Sequence, residues 1–231
     1  MGFSYPPFLS AYPFFFSVLM KKFLFPALLG AALFAAPATF AHKAPTKVAA
    51  KGIVTYKLQP QLSTLGWEGK AVTHGHTGTM QFASGDLQVN GNQVVGGTVI
   101  VDMKTLKATD ITDAANHAKF VGHMSSDDFF SSEKYPTSTF KITSVKPIAG
   151  AKGDVDNATI TGEMTIKGVT QQISFPAKVG VKDGIAAATG KVTIDRTKFG
   201  LKYGSKTFFD SIGDKAIYDE FTLAFNVVAK Q

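Results

Sequence analysis

The chain has 231 residues, of which 45% are hydrophobic and 18% charged, with a formal net charge of +7. This is enough apolar content to bury a core and too little charge for a disordered chain, and the 22 glycines show no Gly-X-Y period. The absence of cysteine excludes disulfides, thiolate zinc sites, a cysteine nucleophile and a lipoprotein anchor.

Nine of the 20 Phe lie within residues 1–41, which also hold two Lys and no acid. Met20-Lys21-Lys22, the apolar run Phe23 to Ala35 and the small residues up to Ala41 follow the order of a secretory signal peptide. Cleavage falls after Ala38, by the Ala36-Pro37-Ala38 pattern, or after Ala41, which leaves His42 first. Residues 1–19 carry no charge and read as sequence upstream of a start at Met20. The competing reading is one or two membrane helices, but Phe8 to Leu19 and Phe23 to Ala36 are each shorter than the ~20 apolar residues a span needs. Export to the periplasm with removal of this segment is the expectation. Without Lys21 and Lys22, 22 of the 24 basic residues face 17 acids, a mature net charge of +5. The Lys residues are spread out, so no nucleic-acid partner is expected, and a weak, transient attraction to anionic membrane headgroups stays open.

Residues 42–51 are rich in Lys, Ala and Pro and read as a tether; the domain spans 52–231. Within it, apolar residues recur at every second position: Phe140 and Ile142; Ile160, Met164 and Ile166; Ile173, Phe175, Ala177 and Val179; Val192 and Ile194; Phe221, Leu223, Phe225 and Val227. Period two predicts strands, and the Lys, Thr, Glu and Ser between them predict one wet face each, as in antiparallel sheet. Asn90-Gly91 and Asp183-Gly184 predict two-residue hairpin turns, and Lys167-Gly168 a weaker third. The strands fall at about 52–58, 66–73, 78–89, 93–104, 138–147, 158–167, 171–181, 186–196 and 218–229. One helix is predicted at Asp113 to His123, capped by Thr112 or Asp113, with Ala114, His117, Ala118 and Val121 on its apolar stripe. The fold class is all-β: an antiparallel barrel of eight or nine strands, which abolishes free edges, or else a sandwich.

Four segments then resemble the YceI-like family, exported lipocalin-like barrels of bacteria associated with polyisoprenoid lipids. They are Trp67-Glu68-Gly69-Lys70 with His74 to Gly78; His123 to Phe130 running through Tyr135-Pro136 to Phe140; Gly162 to Thr170; and Ile194 to Leu201. No one of them is specific, but their order and spacing cover nearly all of 52–231. Glu163-Met164 stands where the family usually has Asp-Leu, and the segment before His123 is Ala-rich where an Arg-Asp pair is common.

The resemblance implies a barrel that carries a polyisoprenoid-type amphiphile or an isoprenoid quinone non-covalently, its tail inside and its head at the open end, with no other cofactor. Strand parity then nominates Phe140, Ile142, Ile160, Met164, Ile166, Phe175, Val192, Phe221 and Phe225 as cavity lining. Each is equally well placed as core filler. Gly162 and Gly190 leave room for a tail or mark bends. Phe129-Phe130 plug one end or gate the mouth. Tyr135, Arg196 and Tyr203 have polar tips that suit a headgroup, although Asp195-Arg196 also reads as an ion pair shaping a strand end, and Trp67 reads as packing.

Enzymatic and metal readings are weaker. His74-x-His76 shares one face of a strand but lacks a third ligand, His117 and His123 are out of register, and neither a His-Glu-x-x-His nor a Gly-x-Ser-x-Gly pattern occurs. No catalytic residue and no metal are assigned. Two rivals remain: a small outer-membrane barrel, since alternation does not say which face is dry, and a ligand-free, stress-related periplasmic protein. Pairing of two copies into a homodimer is left open.

Overall fold

A strand that is apolar on one face is stable only when that face meets another, and the strands here achieve this by closing on themselves. The computed structural model describes residues 52–231; the signal-peptide and tether readings for 1–41 and 42–51 lie outside the described residues. The elements are β1 (Val54–Leu58), β2 (Thr64–Ala71), β3 (Gly75–Asn90), β4 (Gln93–Ala108), α1 (Ala114–Ser125), β5 (Thr137–Pro147), β6 (Ala158–Ile166), β7 (Val169–Lys182), β8 (Ile185–Asp195) and β9 (Ile217–Lys230). From β2 to β9 each strand pairs antiparallel with the next, and β9 returns to β2, giving an up-and-down barrel of eight places.

The choice between eight and nine strands resolves physically. β1 pairs with the far half of β3 (Val54 opposite Val89) and with the end of β9 (Leu58 opposite Ala229), whereas β2 pairs with the near half of β3 (Leu65 opposite Met80). The two strands run in the same direction along one barrel position, interrupted by a 3₁₀ turn at Pro60–Leu62, where Pro60 has no N–H to offer a ladder.

Two hairpins are as their sequences demand. Asp183 and Gly184 take φ of 50° and 72°, and Lys167 and Gly168 take 50° and 76°, the paired positive angles of a type I′ turn. The first hairpin differs from expectation: Asn90 is the last ladder residue, opposite Gln93, so the turn is Gly91-Asn92 and only Gly91 has positive φ. In α1 the Asp113 carboxylate accepts from the Asn116 N–H, which fixes the cap. The inward stripe of α1 is His117, Phe120, Val121 and Met124; Ala114 and Ala118 face solvent, because the larger side chains of the same helix reach the barrel first.

The interior is dry and the outside wet. Ile142, Ile160, Met164, Phe175, Val192, Ile194, Leu223 and Val227 are buried, while Lys141, Glu163, Lys191 and Ala224 between them are exposed. A lipid-facing band tolerates mid-strand charge poorly, so the outer face does not suit a membrane barrel. An irregularity at Phe82/Ser84 on β3 shifts the alternation by one and returns Leu87 and Val89 to the inside, and one at Ile142/Ser144 on β5 does the same for Val145.

Gly162 and Gly190 do not open space for a tail. A Cβ at Gly162 would lie 2.6 Å from the Phe140 ring and 2.5 Å from the Lys141 carbonyl oxygen, and one at Gly190 would lie 3.0 Å from Phe225, so each glycine is the floor beneath an aromatic ring. Gly162→Ala is expected to cost about 1–3 kcal/mol through overpacking. Denaturant unfolding of Gly162→Ala, Phe140→Leu and the double variant checks this, with a coupling of at least about 0.5 kcal/mol expected between them.

Candidate functional site

The barrel interior and its α1 end form two chambers in series. The inner one is enclosed by residues from every strand position, including all nine nominated by parity: Phe140, Ile142, Ile160, Met164, Ile166, Phe175, Val192, Phe221 and Phe225. Its remaining lining is apolar apart from Ser138 and Thr139, and the Ser138 hydroxyl is turned toward the Met103 sulfur at 3.1 Å. Phe175 is central: its ring lies 5.5 Å from that of Phe140 and 5.6 Å from that of Phe225. These rings occupy much of the interior, and the open volume is about 120 Å³.

Sequence reasoning left out Met80, Phe82, Val99, Val101 and Met103, which line the same chamber. Alternation was there to find them, in Thr79-Met80-Gln81-Phe82 and in Val99 to Met103, but the β3 irregularity hides its continuation.

The outer chamber, about 410 Å³, shares Met80, Phe130 and Phe221 with the inner one, so these three side chains form the neck between them. Phe129 and Phe130 sit here for a local reason. Ser126 ends α1 by donating its hydroxyl to the His123 carbonyl, Phe130 N–H returns to the Met124 carbonyl, and Ser131 takes a positive φ of 48° with its hydroxyl on Asp127. That knot folds the two rings back over the barrel end: Phe129 is buried against His123 and Tyr203, and Phe130 faces both chambers.

Two aromatic groups wall the outer chamber. On one side Trp67 stacks on Phe120 at 5.9 Å, Phe120 meets His76 at 4.7 Å, and His76 meets His74 at 5.3 Å. Trp67 lies flat because its cross-strand partner is Gly78, where a Cβ would sit 2.5 Å from the indole, and its buried Nε1–H has no hydrogen-bond partner among the described residues. On the other side His123 packs edge-on against Tyr203 at 4.7 Å and reaches the Asp128 carboxylate at 3.0 Å. His76 Nδ1 lies 2.8 Å from Asp110, whose other oxygen accepts from the Thr77 N–H. Burial acts to raise the Asp110 pKa, but the hydrogen bonds from His76 and Thr77 outweigh it and hold the carboxyl below the usual aspartate range. The stability this contributes is present above that range and is lost as pH falls through the depressed value. Among the described residues no three His, Asp or Glu side chains are grouped to hold a metal.

The three headgroup candidates separate. Tyr203 lines the outer chamber and is 44% exposed. Tyr135 lies elsewhere, its ring over Gly168 at the β6–β7 turn. Arg196 borders the chamber but is buried, and all of its N–H donors are engaged: Nε with the Tyr218 carbonyl, Nη1 with Leu201 and Tyr203, Nη2 with Ile217 and the Asp219 carboxylate. It has none left for a headgroup. Its ionic partner is Asp219 at 3.4 Å, not Asp195, which instead caps Thr197 through N–H and hydroxyl. Burial lowers the Arg196 pKa, opposed by the charges of Asp219 and Asp195.

Comparison with known proteins agrees with this architecture. The YceI-like domain matches residues 56–229. Among curated relatives, Protein YceI of Escherichia coli is 39% identical over 75 residues, covering 32% of this chain and 35% of that protein. A UPF0312 protein of Pseudomonas aeruginosa is 39% identical over 93 residues, 38% of this chain and 46% of that protein. The aligned part thus spans less than half the length of either relative. Two solved structures share the fold. BcnA of Burkholderia cenocepacia superposes with a TM-score of 0.59 at 20% identity, over 75% of this chain and 99% of its own. A polyisoprenoid binding domain from Saccharophagus degradans gives 0.56 at 17%, over 76% and 97%.

Replacing Arg196 by Met leaves four carbonyls and a carboxylate without their shared donor. A loss of about 3–5 kcal/mol is expected in denaturant unfolding. Arg196→Lys should not restore it, since one ammonium cannot span the five acceptors.

Proposed function

This chain belongs to the YceI-like family, and we propose that it is an exported carrier that binds an isoprenoid amphiphile, its tail in the inner chamber and its polar end in the outer one. The observation that carries the reading is the change of chemistry at the neck formed by Met80, Phe130 and Phe221: almost wholly apolar below, mixed aromatic, imidazole, Lys and carboxylate above. A ligand matching both sides is an amphiphile. The solved Saccharophagus degradans domain is described as polyisoprenoid binding, which supports an isoprenoid tail here. The signal-peptide pattern of residues 20–41 supports export to the periplasm. The reading involves binding alone, with no reaction and no cofactor.

Each tail CH₂ buried is worth roughly 0.8 kcal/mol, so a few isoprene units outweigh the cost of ordering them. Tail burial is unselective, however, and discrimination falls to the outer chamber, where an unmatched polar group is rejected far more strongly than an extra methylene. The outer volume of about 410 Å³ lies within the range of small-molecule sites, whereas the inner 120 Å³ falls short of it. A long tail therefore fits only as flexible lining residues such as Met80, Met103 and Met164 move aside, a role the unbranched thioether suits.

The test is mass spectrometry of an organic extract of the protein, purified from the periplasm without detergent, beside Ala188→Phe, which adds a ring to the inner lining. The expected result is a stoichiometric prenyl lipid in the wild type and a loss of about tenfold or more in the variant, with the variant's circular dichroism unchanged. A wild type that carries no prenyl lipid and takes none up when it is supplied overturns the reading and favours a ligand-free periplasmic role.

A further inference from the structure

All four exposed large aromatic residues among the described residues gather at one place: Tyr203 (44%), Phe208 (44%) and Phe209 (50%) on the β8–β9 connection, and Tyr218 (52%) just inside β9. Val72, on the β2–β3 turn at the same end of the barrel, is also exposed. The other exposed large hydrophobics, Ile53, Val54, Leu62, Val155, Val169 and Ile185, are aliphatic, and an aromatic cluster of this kind marks an interaction site.

The exposure is built, not incidental. The connection is braced at its base by Arg196, which holds the Leu201 and Tyr203 carbonyls, and by Ser205, fully buried, whose carbonyl accepts the Phe208 and Phe209 N–H groups at 3.2 and 3.0 Å. The Thr207 hydroxyl donates to Asp219 at 2.6 Å. These bonds fix the backbone while the two Phe rings between Thr207 and Asp210 point away from the core.

Charge identifies the partner. Across the connection, residues 196–216, five cations (Arg196, Lys198, Lys202, Lys206 and Lys215) outnumber two acids (Asp210 and Asp214), and Lys198, Lys202 and Lys206 precede the two Phe residues with no acid among them. Lys198 lies 3.9 Å from Asp195, whereas the Lys202 ammonium sits 4.5 Å from the Phe208 ring centroid, beside the apolar surface. Phe and Tyr rings flanked by lysines suit the boundary of an anionic bilayer, where the rings enter the acyl region and the ammonium groups reach phosphate. We propose that this loop docks the barrel mouth onto an anionic phospholipid surface. The proposal takes its purpose from the carrier reading, since Tyr203 also lines the outer chamber and a docked loop brings that chamber to the lipid. Its chemistry stands on the loop alone.

Vesicle sedimentation tests it with the purified protein, Phe208→Ser/Phe209→Ser and Lys202→Gln/Lys206→Gln. The wild type is expected to bind vesicles of phosphatidylglycerol and phosphatidylethanolamine, less to phosphatidylcholine, and to be released by salt. Each double variant should lose about tenfold or more in partitioning; the exposed sites leave the fold intact, as unchanged thermal unfolding would verify. Absence of binding by the wild type, or equal binding by Phe208→Ser/Phe209→Ser, overturns the proposal. So does a dimer in analytical ultracentrifugation that the same variant dissociates while no form binds vesicles, which would assign the patch to a second copy. Loading with a prenyl alcohol delivered from cyclodextrin separates the two readings. A Phe variant that loads but does not dock supports both, and a wild type that docks but never loads removes the carrier reading alone.

Discussion

The backbone pairing of β2 with β9, from Thr64 opposite Asn226 to Gly69 opposite Phe221, removes the only two long edges the sheet would otherwise present. It also fixes which residues face inward, because a one-residue slip of β9 would turn Phe221, Leu223 and Phe225 to the outside together. An enclosed apolar space, a defined mouth and a neck between them follow from that closure. The cost of closing is met locally, by irregularities on β3, β4 and β5 that let straight ladders bend round the ring.

The interior is filled by pairing large with small. Trp67 lies on Gly78, Phe140 on Gly162 and Phe225 on Gly190, each ring supported by a neighbouring strand that has given up its side chain. At the mouth a single buried cation organises the irregular backbone. Arg196 gathers carbonyls from both ends of the β8–β9 connection, which turns a 21-residue excursion between Asp195 and Ile217 into a shaped wall of the outer chamber. Because the guanidinium is fully engaged in this task, the polar recognition capacity of the chamber resides in Tyr203, the histidines and the rim lysines and carboxylates.

Strand number, direction and inward parity were legible in the sequence because half-buried strands write their two faces into every second residue. The nine parity-nominated residues all line one space for that reason. Legibility failed where the period was broken or the geometry was tertiary. The β3 irregularity concealed part of the lining; the α1 stripe is set by which side chains meet the barrel, not by spacing alone. The pairing of Arg196 with Asp219 joins residues on opposite sides of a long connection, and nothing at Asp195-Arg196 announces it. Phe129 and Phe130 stood out as aromatics without a strand to explain them, but only the serine-built turn around Ser126 and Ser131 places them at the junction of the chambers.

Met80, Phe130 and Phe221 stand between the two chambers, and for a bound amphiphile that position would separate how tightly it is held from how quickly it leaves. On the proposed carrier reading, a ligand spanning both chambers could leave only by rotamer changes at the neck, so its residence time would be set by a barrier distinct from the equilibrium contacts of its two ends. For such a carrier a closed neck would retain cargo through dilution, and whatever helped Phe130 swing aside would speed loading and unloading equally, leaving the direction of transfer to the concentrations on either side.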